Sequence, residues 1–210
     1  LLNEEYPGWL REVKLGATTI WERWLSLGED GKVSSTGMNS FNHYAYGAIL
    51  EWMFRHVGGI DVRENAPGAK TVRIAPKVHA DVKSAEAVYD SASGTYRCGW
   101  EILDDNRIRV SLEVPFGAEA EVQLPYADTS VYLDESNPLF ASVRDGVCHV
   151  KAGSYRAEYP ASEQLKKTYS TESSMEELLN HPPVRACLSP LIEVDMIPAA
   201  AYPQSLRTVS

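Results

Sequence analysis

Apolar residues recur at helical spacing before about residue 60 and at every second position after about residue 70, and this change of period limits the chain to helices followed by half-buried strands. The groups Val72/Ile74, Ala85/Ala87/Tyr89, Tyr96/Cys98/Trp100/Ile102, Ile108/Val110/Leu112/Val114 and Ala118/Ala120/Val122/Leu124 all alternate. Further strands fit 130–133, 147–151 and 155–159. Polar turns at Asp104-Asp105-Asn106, Pro115-Phe116-Gly117 and Arg144-Asp145-Gly146 separate the runs. About eight short strands joined by turns predict an antiparallel β-sandwich over residues 61–160. Trp100, Tyr96 and Tyr89 share the inward face with Cys98 and Ile102, so they read as core rather than as a sugar platform. Phe116 and Phe140 are the aromatics placed in loops.

Residues 1–60 predict helices. Pro7-Gly8 is a break, Thr18 to Leu27 a short helical piece, and Gly28-Glu29-Asp30-Gly31 a turn. The strongest helix is expected from Ser40, a suitable N-cap, to Val57, with Gly58-Gly59 as its stop. Two or three helices cannot enclose a core, so most of their partners are expected upstream of Leu1. Beyond residue 160 the composition turns polar through Ser162 to Lys167, predicting a linker. Ser173-Ser174-Met175-Glu176 fits a capping box for a helix ending at Asn180, with His181-Pro182-Pro183 as its stop and only short helical turns afterwards. The expected fold class is therefore α+β, in three parts: 1–60, 61–160 and 161–210.

A net charge of −9 over 210 residues, with no cluster of Lys or Arg, excludes the phosphate-tracking chemistry of nucleic-acid binding. No apolar run approaches the ~20 residues of a membrane-spanning helix, so no membrane partner is expected. Cys98, Cys148 and Cys187 are odd in number and far apart, which predicts free thiols and a cytoplasmic setting. The five histidines never fall at the spacing of a zinc pair, and no G-x-S-x-G elbow is present, so neither a metal, a cofactor nor a serine triad is expected. The opening Leu1-Leu2-Asn3-Glu4 lacks a Met and lies inside what reads as a helix or its exit, predicting the C-terminal part of a longer polypeptide. The sequence leaves the oligomeric state, including a homo-oligomer, open.

Chemistry concentrates in two words, GATTIWERW (16–24) and NSFNHYAYG (39–47). They bring together a carboxylate (Glu22), an imidazole (His43), indoles (Trp21, Trp24), a guanidinium (Arg23) and amides (Asn39, Asn42). Aromatic rings cover the apolar faces of a pyranose, amides and imidazole bond its hydroxyls, and a carboxylate can take a proton from water. The indoles on either side of Glu22 would partly desolvate it and hold it in place. A neutral His43 could both donate to and accept from a sugar hydroxyl. The plainer readings are a solvated surface glutamate and a core histidine bonded to a backbone carbonyl.

These words, in this order with Glu5-Tyr6-Pro7-Gly8-Trp9 before them, Gly37-Met38 leading the second, and Ala66-Pro67-Gly68 after it, resemble the closing part of the catalytic domain of bacterial α-L-rhamnosidases of glycoside hydrolase family 78. The family often carries an acidic residue after WERW, where this chain has Leu25. The resemblance implies the last helices of an (α/α)6 barrel, a C-terminal β-sandwich and an inverting hydrolysis of rhamnose-containing glycosides. It assigns Glu22 as the general base and His43 as a rhamnose contact, with Trp21, Trp24, Asn39 and Asn42 as further substrate contacts. The general acid would come from an earlier part of the barrel, so the upstream polypeptide is an implied partner and the segment alone is expected to be inactive. The alternative is a non-catalytic sandwich scaffold or carbohydrate-binding fragment.

Overall fold

Seven strands form one hydrogen-bonded sheet: β1 (Ile60–Val62), β2 (Thr71–Ile74), β3 (Ser84–Ser91), β4 (Gly94–Ile102), β5 (Arg107–Val122), β6 (Val143–Arg144) and β7 (Val147–Pro160). They belong to a computed structural model that describes residues 8–28, 30–35, 37–165, 173, 178 and 182–188. The described chain is α+β and mostly sheet, and it divides into one unit ending at Leu165 and a second beginning at Lys166.

The expected alternation is present. Tyr96, Cys98 and Trp100 of β4 face the core with Ile108, Val110, Leu112 and Val114 of β5, and the register places Cys98 opposite Leu112 and Trp100 opposite Val110. The other face is charged, with Arg97 opposite Glu113 and Glu101 opposite Arg109, cross-strand pairs of opposite sign. Tyr96 and Trp100 are buried as the alternation predicts, whereas Phe140, placed in a loop by sequence, packs in the core edge-on to Tyr132.

Four expectations about the sheet change. Pro115-Phe116-Gly117 is a bulge inside β5 rather than a turn, with Gly117 at φ +77° and the register against β7 shifting between Val114 and Glu119. Two predicted strands on either side of it are thus one, as are the two predicted within β7. The sheet is also mixed: β2 lies parallel to the far end of β5, Thr71 opposite Glu119 and Ile74 opposite Val122. The strand predicted at 130–133 is a 3-10 turn, Val131–Leu133, because Asp128 Oδ1 accepts the Ser130 N–H at 2.6 Å and offers the backbone a local alternative to a ladder. Finally, residues 161–165 do not leave the sheet as a linker. Asn106, at φ +60°, accepts from Ala161 N–H through its carbonyl and from Leu165 N–H through Oδ1, and Leu165 is buried.

Helix is scarcer in residues 8–57 than the periodicity predicts. α1 spans Trp9–Lys14, and the strong helix begins as a 3-10 turn at Tyr44–Ala48, becomes α2 at Ile49–Trp52 and widens to a π turn over Met53–Val57. Its cap is His43 rather than Ser40, the imidazole Nδ1 accepting the Ala45 N–H. The predicted piece at 18–27 has no helix; it is coil held by hydrogen bonds from both sides. The Gly28–Gly31 turn is present, closed by Gly28 N–H to Lys32 O at 2.9 Å. In the second unit, α3 (Pro182–Leu188) starts at the prolines expected to end a helix, consistent with proline's fixed φ suiting a first turn. The predicted helix at 173–180 lies outside the described residues except at Ser173 and Leu178, and Glu5-Tyr6-Pro7 also lies outside them.

The sheet meets the helix at Gly58-Gly59, both buried. Gly58 N–H donates to Met53 O, the wide closing bond of the π turn, and a Cβ at Gly58 would lie 2.6 Å from Ala87 Cβ. The indole of Trp100 donates to Val57 O at 2.7 Å, and Lys77 N–H to His56 O at 2.7 Å. The helix end is thereby fixed to β4 and to the strand exit after β2.

Candidate active site

Between α1 and the 3-10 turn at Tyr44, the described residues form no helix or strand beyond an isolated bridge of Leu27 with Val33, so the positions of Glu22 and His43 depend on individual bonds rather than on a helical ladder. Two irregular pieces, 20–22 and 40–43, are joined by backbone hydrogen bonds. His43 N–H donates to Ile20 O at 2.8 Å, and Glu22 N–H to Ser40 O at 2.8 Å. The Glu22 carboxylate returns the bond, its Oε2 accepting the Ser40 N–H at 2.8 Å. This fixes the half-buried carboxylate by its own residue at both ends. Ser40, expected to cap a helix, holds Glu22 instead and accepts the Asn42 N–H through Oγ.

His43 follows three residues later. Because Nδ1 accepts from Ala45 N–H, a neutral ring carries its proton on Nε2 and presents a donor there, rather than both a donor and an acceptor. Its ring lies parallel to that of Tyr44 with centroids 5.7 Å apart.

The remaining predicted contacts divide. Trp21 is buried and packs edge-on to Phe41 at 5.1 Å, so it supports the paired segments and offers no ring to solvent. Trp24 stacks on Tyr46 at 4.1 Å with planes 15° apart and meets Trp9 edge-on at 4.9 Å, leaving one face free of Tyr46. Asn39 donates to Ser26 O at 3.1 Å and keeps its Oδ1 buried without a partner among the described residues, a framing role for a residue expected to touch substrate. Asn42 is exposed, as is Arg23. The Ala66-Pro67-Gly68 word is likewise structural: Gly68, at φ +67°, accepts the Ser93 hydroxyl through its carbonyl and docks the turn on the β3–β4 hairpin.

One functional candidate escapes a reading of the sequence. Glu12 of α1 is 4% exposed, and its Oε2 accepts the N–H of Trp21, the residue before Glu22, at 3.2 Å. Burial pushes its carboxyl above the ordinary range, and the Trp21 N–H offsets part of that rise. A glutamate in WLREVK reads as solvated, but it sits three residues after Trp9 and so shares that face, while Val13 is 69% exposed. A mismatch between an apolar residue turned out and an acid turned in is the signal that a helical-wheel reading carries.

Comparison with known proteins gives the site a context. Residues 1–57 match the bacterial alpha-L-rhamnosidase 6 hairpin glycosidase domain, and residues 59–137 match the bacterial alpha-L-rhamnosidase C-terminal domain. An alpha-L-rhamnosidase of Formosa agariphila is 39% identical over 68% of this chain and 15% of its own length, and one of Streptomyces avermitilis 35% identical over 74% and 15%. The crystal structure of the Streptomyces avermitilis enzyme complexed with L-rhamnose superposes with a TM-score of 0.62 at 33% identity, covering 74% of this chain and 15% of that one. The Dictyoglumus thermophilum enzyme gives 0.60 at 28%, covering 76% and 18%. This chain thus spans about 15% of the length of the curated relatives it matches.

Proposed function

Because the chain belongs, through residues 1–57 and 59–137, to the bacterial α-L-rhamnosidases, we propose that it is the base-bearing part of an inverting hydrolase that removes terminal α-L-rhamnose from glycosides. The observation that carries this reading is the hold on Glu22. A carboxylate pinned by one oxygen to Ser40 N–H keeps its other oxygen for a water, and the pin spares it the search for an orientation. His43, fixed by its backbone to Ile20, donates Nε2–H to a sugar hydroxyl, and Asn42 and the free face of Trp24 line the rim. Trp21 and Asn39 hold the frame behind them.

Inversion needs two carboxyls about 6.5–9.5 Å apart, one for the water and one for the leaving oxygen. No acidic residue here falls in a word resembling the family's acid, so the acid is assigned to chain outside these 210 residues, in the rest of a six-hairpin barrel. On this reading residues 8–57 belong to the closing part of that barrel, and the two runs of pairing along β5 and β7, offset at the Pro115-Phe116-Gly117 bulge, supply the bend by which a sandwich closes.

The test is hydrolysis of an aryl α-L-rhamnoside by the polypeptide extended to the length of its relatives, with the first-formed anomer read by NMR. Glu22→Gln should lower kcat by about 10²–10⁴-fold, the usual worth of a positioned base. The isolated 210 residues should show no turnover. Activity retained by Glu22→Gln would overturn the assignment and return the scaffold reading; turnover by the isolated chain, lost in Glu22→Gln, would overturn the division of the two carboxyls.

A further inference from the structure

The segment that carries Glu22 is gripped from both sides, and only one grip belongs to the second sequence word. On one side is Ser40, bonded to both the backbone and the carboxylate of Glu22. On the other is Glu12, whose Oε2 takes the N–H of Trp21 across a buried contact. Residues 17–26 have no helical or strand ladder, so Trp21 N–H has this carboxyl as its acceptor and, with the indole buried, no route to water in its place. The second oxygen of Glu12, Oε1, is buried without a partner among the described residues. A carboxyl kept in that state at the cost of desolvation does more than fill space, since a leucine would fill it with no polar atom to satisfy.

We propose that Glu12 is a positioning residue for Glu22: by accepting the Trp21 N–H it fixes the peptide joining Ile20 to Trp21, one residue before the base, and the carbonyl of that peptide also accepts the His43 N–H. The inference rests on Glu22 being the base. Glu12 acts here as an acceptor: burial raises its pKa, and an oxygen is offered to the Trp21 N–H in either ionisation state. Glutamine reproduces that oxygen, leucine removes it at similar volume, and aspartate withdraws it by one methylene.

The experiment compares Glu12→Leu, Glu12→Asp, Glu12→Gln and Glu22→Gln in the polypeptide extended to its relatives' length, with folding followed by circular dichroism and thermal melting. A shift of about an ångström at the reacting group costs on the order of 100-fold, so Glu12→Leu should lower kcat by about 10- to 100-fold with KM changed less than about threefold. Glu12→Gln should stay within about threefold of the parent in both constants, a rescue by the conservative variant that simple packing would not require. If Glu12→Leu does not fold, Glu12→Asp takes its place with the same split. Parent-like kcat in the folded leucine or aspartate variant overturns the proposal, as does a loss carried by KM. A glutamine variant as inactive as Glu22→Gln also overturns it, because Glu12 would then be moving a proton. If instead Glu22→Gln remains active, the assignment of the base falls and the positioning role falls with it.

Discussion

Gly59→Ala should be the most damaging single methyl added at the junction of helix and sheet. Gly59 has φ +85°, and a Cβ there would lie 2.7 Å from the N, Cα and Cβ of Pro76. The overlapping atoms are mostly backbone. They are also tethered, because Ala75 N–H donates to Gly59 O at 2.8 Å and Lys77 N–H to His56 O at 2.7 Å, on either side of Pro76. An L-residue in the left-handed region costs about 1–2 kcal/mol, and forcing a methyl into a packed site about 1–3 kcal/mol, so the sum is about 2–5 kcal/mol. For a chain of this size each kcal/mol moves Tm by about 2–4 °C, which predicts a fall of roughly 10 °C. Gly146→Ala is the control: its φ is +74°, yet nothing lies within 4 Å of the added Cβ, so it carries the strain without the overlap. Both variants lose the same chain entropy when unfolded, and that contribution cancels between them. Urea titration and thermal melting of the two variants give the difference. Equal losses in Gly59→Ala and Gly146→Ala would refute the reasoning, since Pro76 would then be yielding freely.

Three other outcomes are expected. Tyr96 is fully buried and its hydroxyl donates to Ala69 O at 2.6 Å, so Tyr96→Phe strands a buried carbonyl and should cost about 1–3 kcal/mol in urea unfolding; a cost near zero would mean that Ala69 finds another donor. Burial raises the Cys98 thiol from 9.0 to about 12 and Cys148 from 9.0 to about 11. A neutral thiol is what the fold favours, so the stabilisation is intact below pH 9 and is lost as pH rises through 12; Cys98→Ala should flatten the fall in stability above pH 9 by up to about 1.4 kcal/mol per pH unit, and an unchanged slope would contradict it. His43→Asn keeps a good N-cap while deleting Nε2–H, so it should leave the melting temperature nearly unchanged yet raise KM for an aryl rhamnoside about tenfold in the extended enzyme; His43→Ala should also lose about 1 kcal/mol of capping. A stable asparagine variant with an unaltered KM would confine His43 to its capping role.

The strands were legible where one face is buried, because alternation at 96/98/100 and 108/110/112/114 has no other physical reading. Pro115-Phe116-Gly117 misled because the same residues that make a turn also make a bulge, and only the partner strand decides between them; β7 continues past it, with Phe116 97% exposed. The parallel pairing of β2 with β5 is set by tertiary placement and leaves no local trace. In the site, composition identified a carboxylate, an imidazole and amides in two words, but their division into frame and surface was illegible. Asn39 and Asn42 are chemically alike and three residues apart, yet one is tied to Ser26 and the other is exposed. Ser40 satisfies the sequence rule for a cap and His43 does not, yet His43 closes the helix while Ser40 is bonded to Glu22 and to Asn42.

Those bonds explain how two words with little regular structure hold Glu22 and His43 in place. His43 sits at the start of a continuous helical run that ends at Val57, about 20 Å away at 1.5 Å per residue. Its far end is clamped by Trp100 and Lys77 and packed through Phe54 on Tyr89. The sheet therefore anchors the imidazole through a lever running from His43 to Val57, while Glu22 is anchored locally, by Ser40 and, through Trp21, by Glu12. The two groups meet at one pair of backbone bonds, Ile20 to His43 and Ser40 to Glu22. A disturbance at Gly59 reaches His43 along the helix and reaches the Glu22 segment through those bonds and through the stack of Trp24 on Tyr46, so the proposed substrate contact is tied to the sheet more directly than the proposed base.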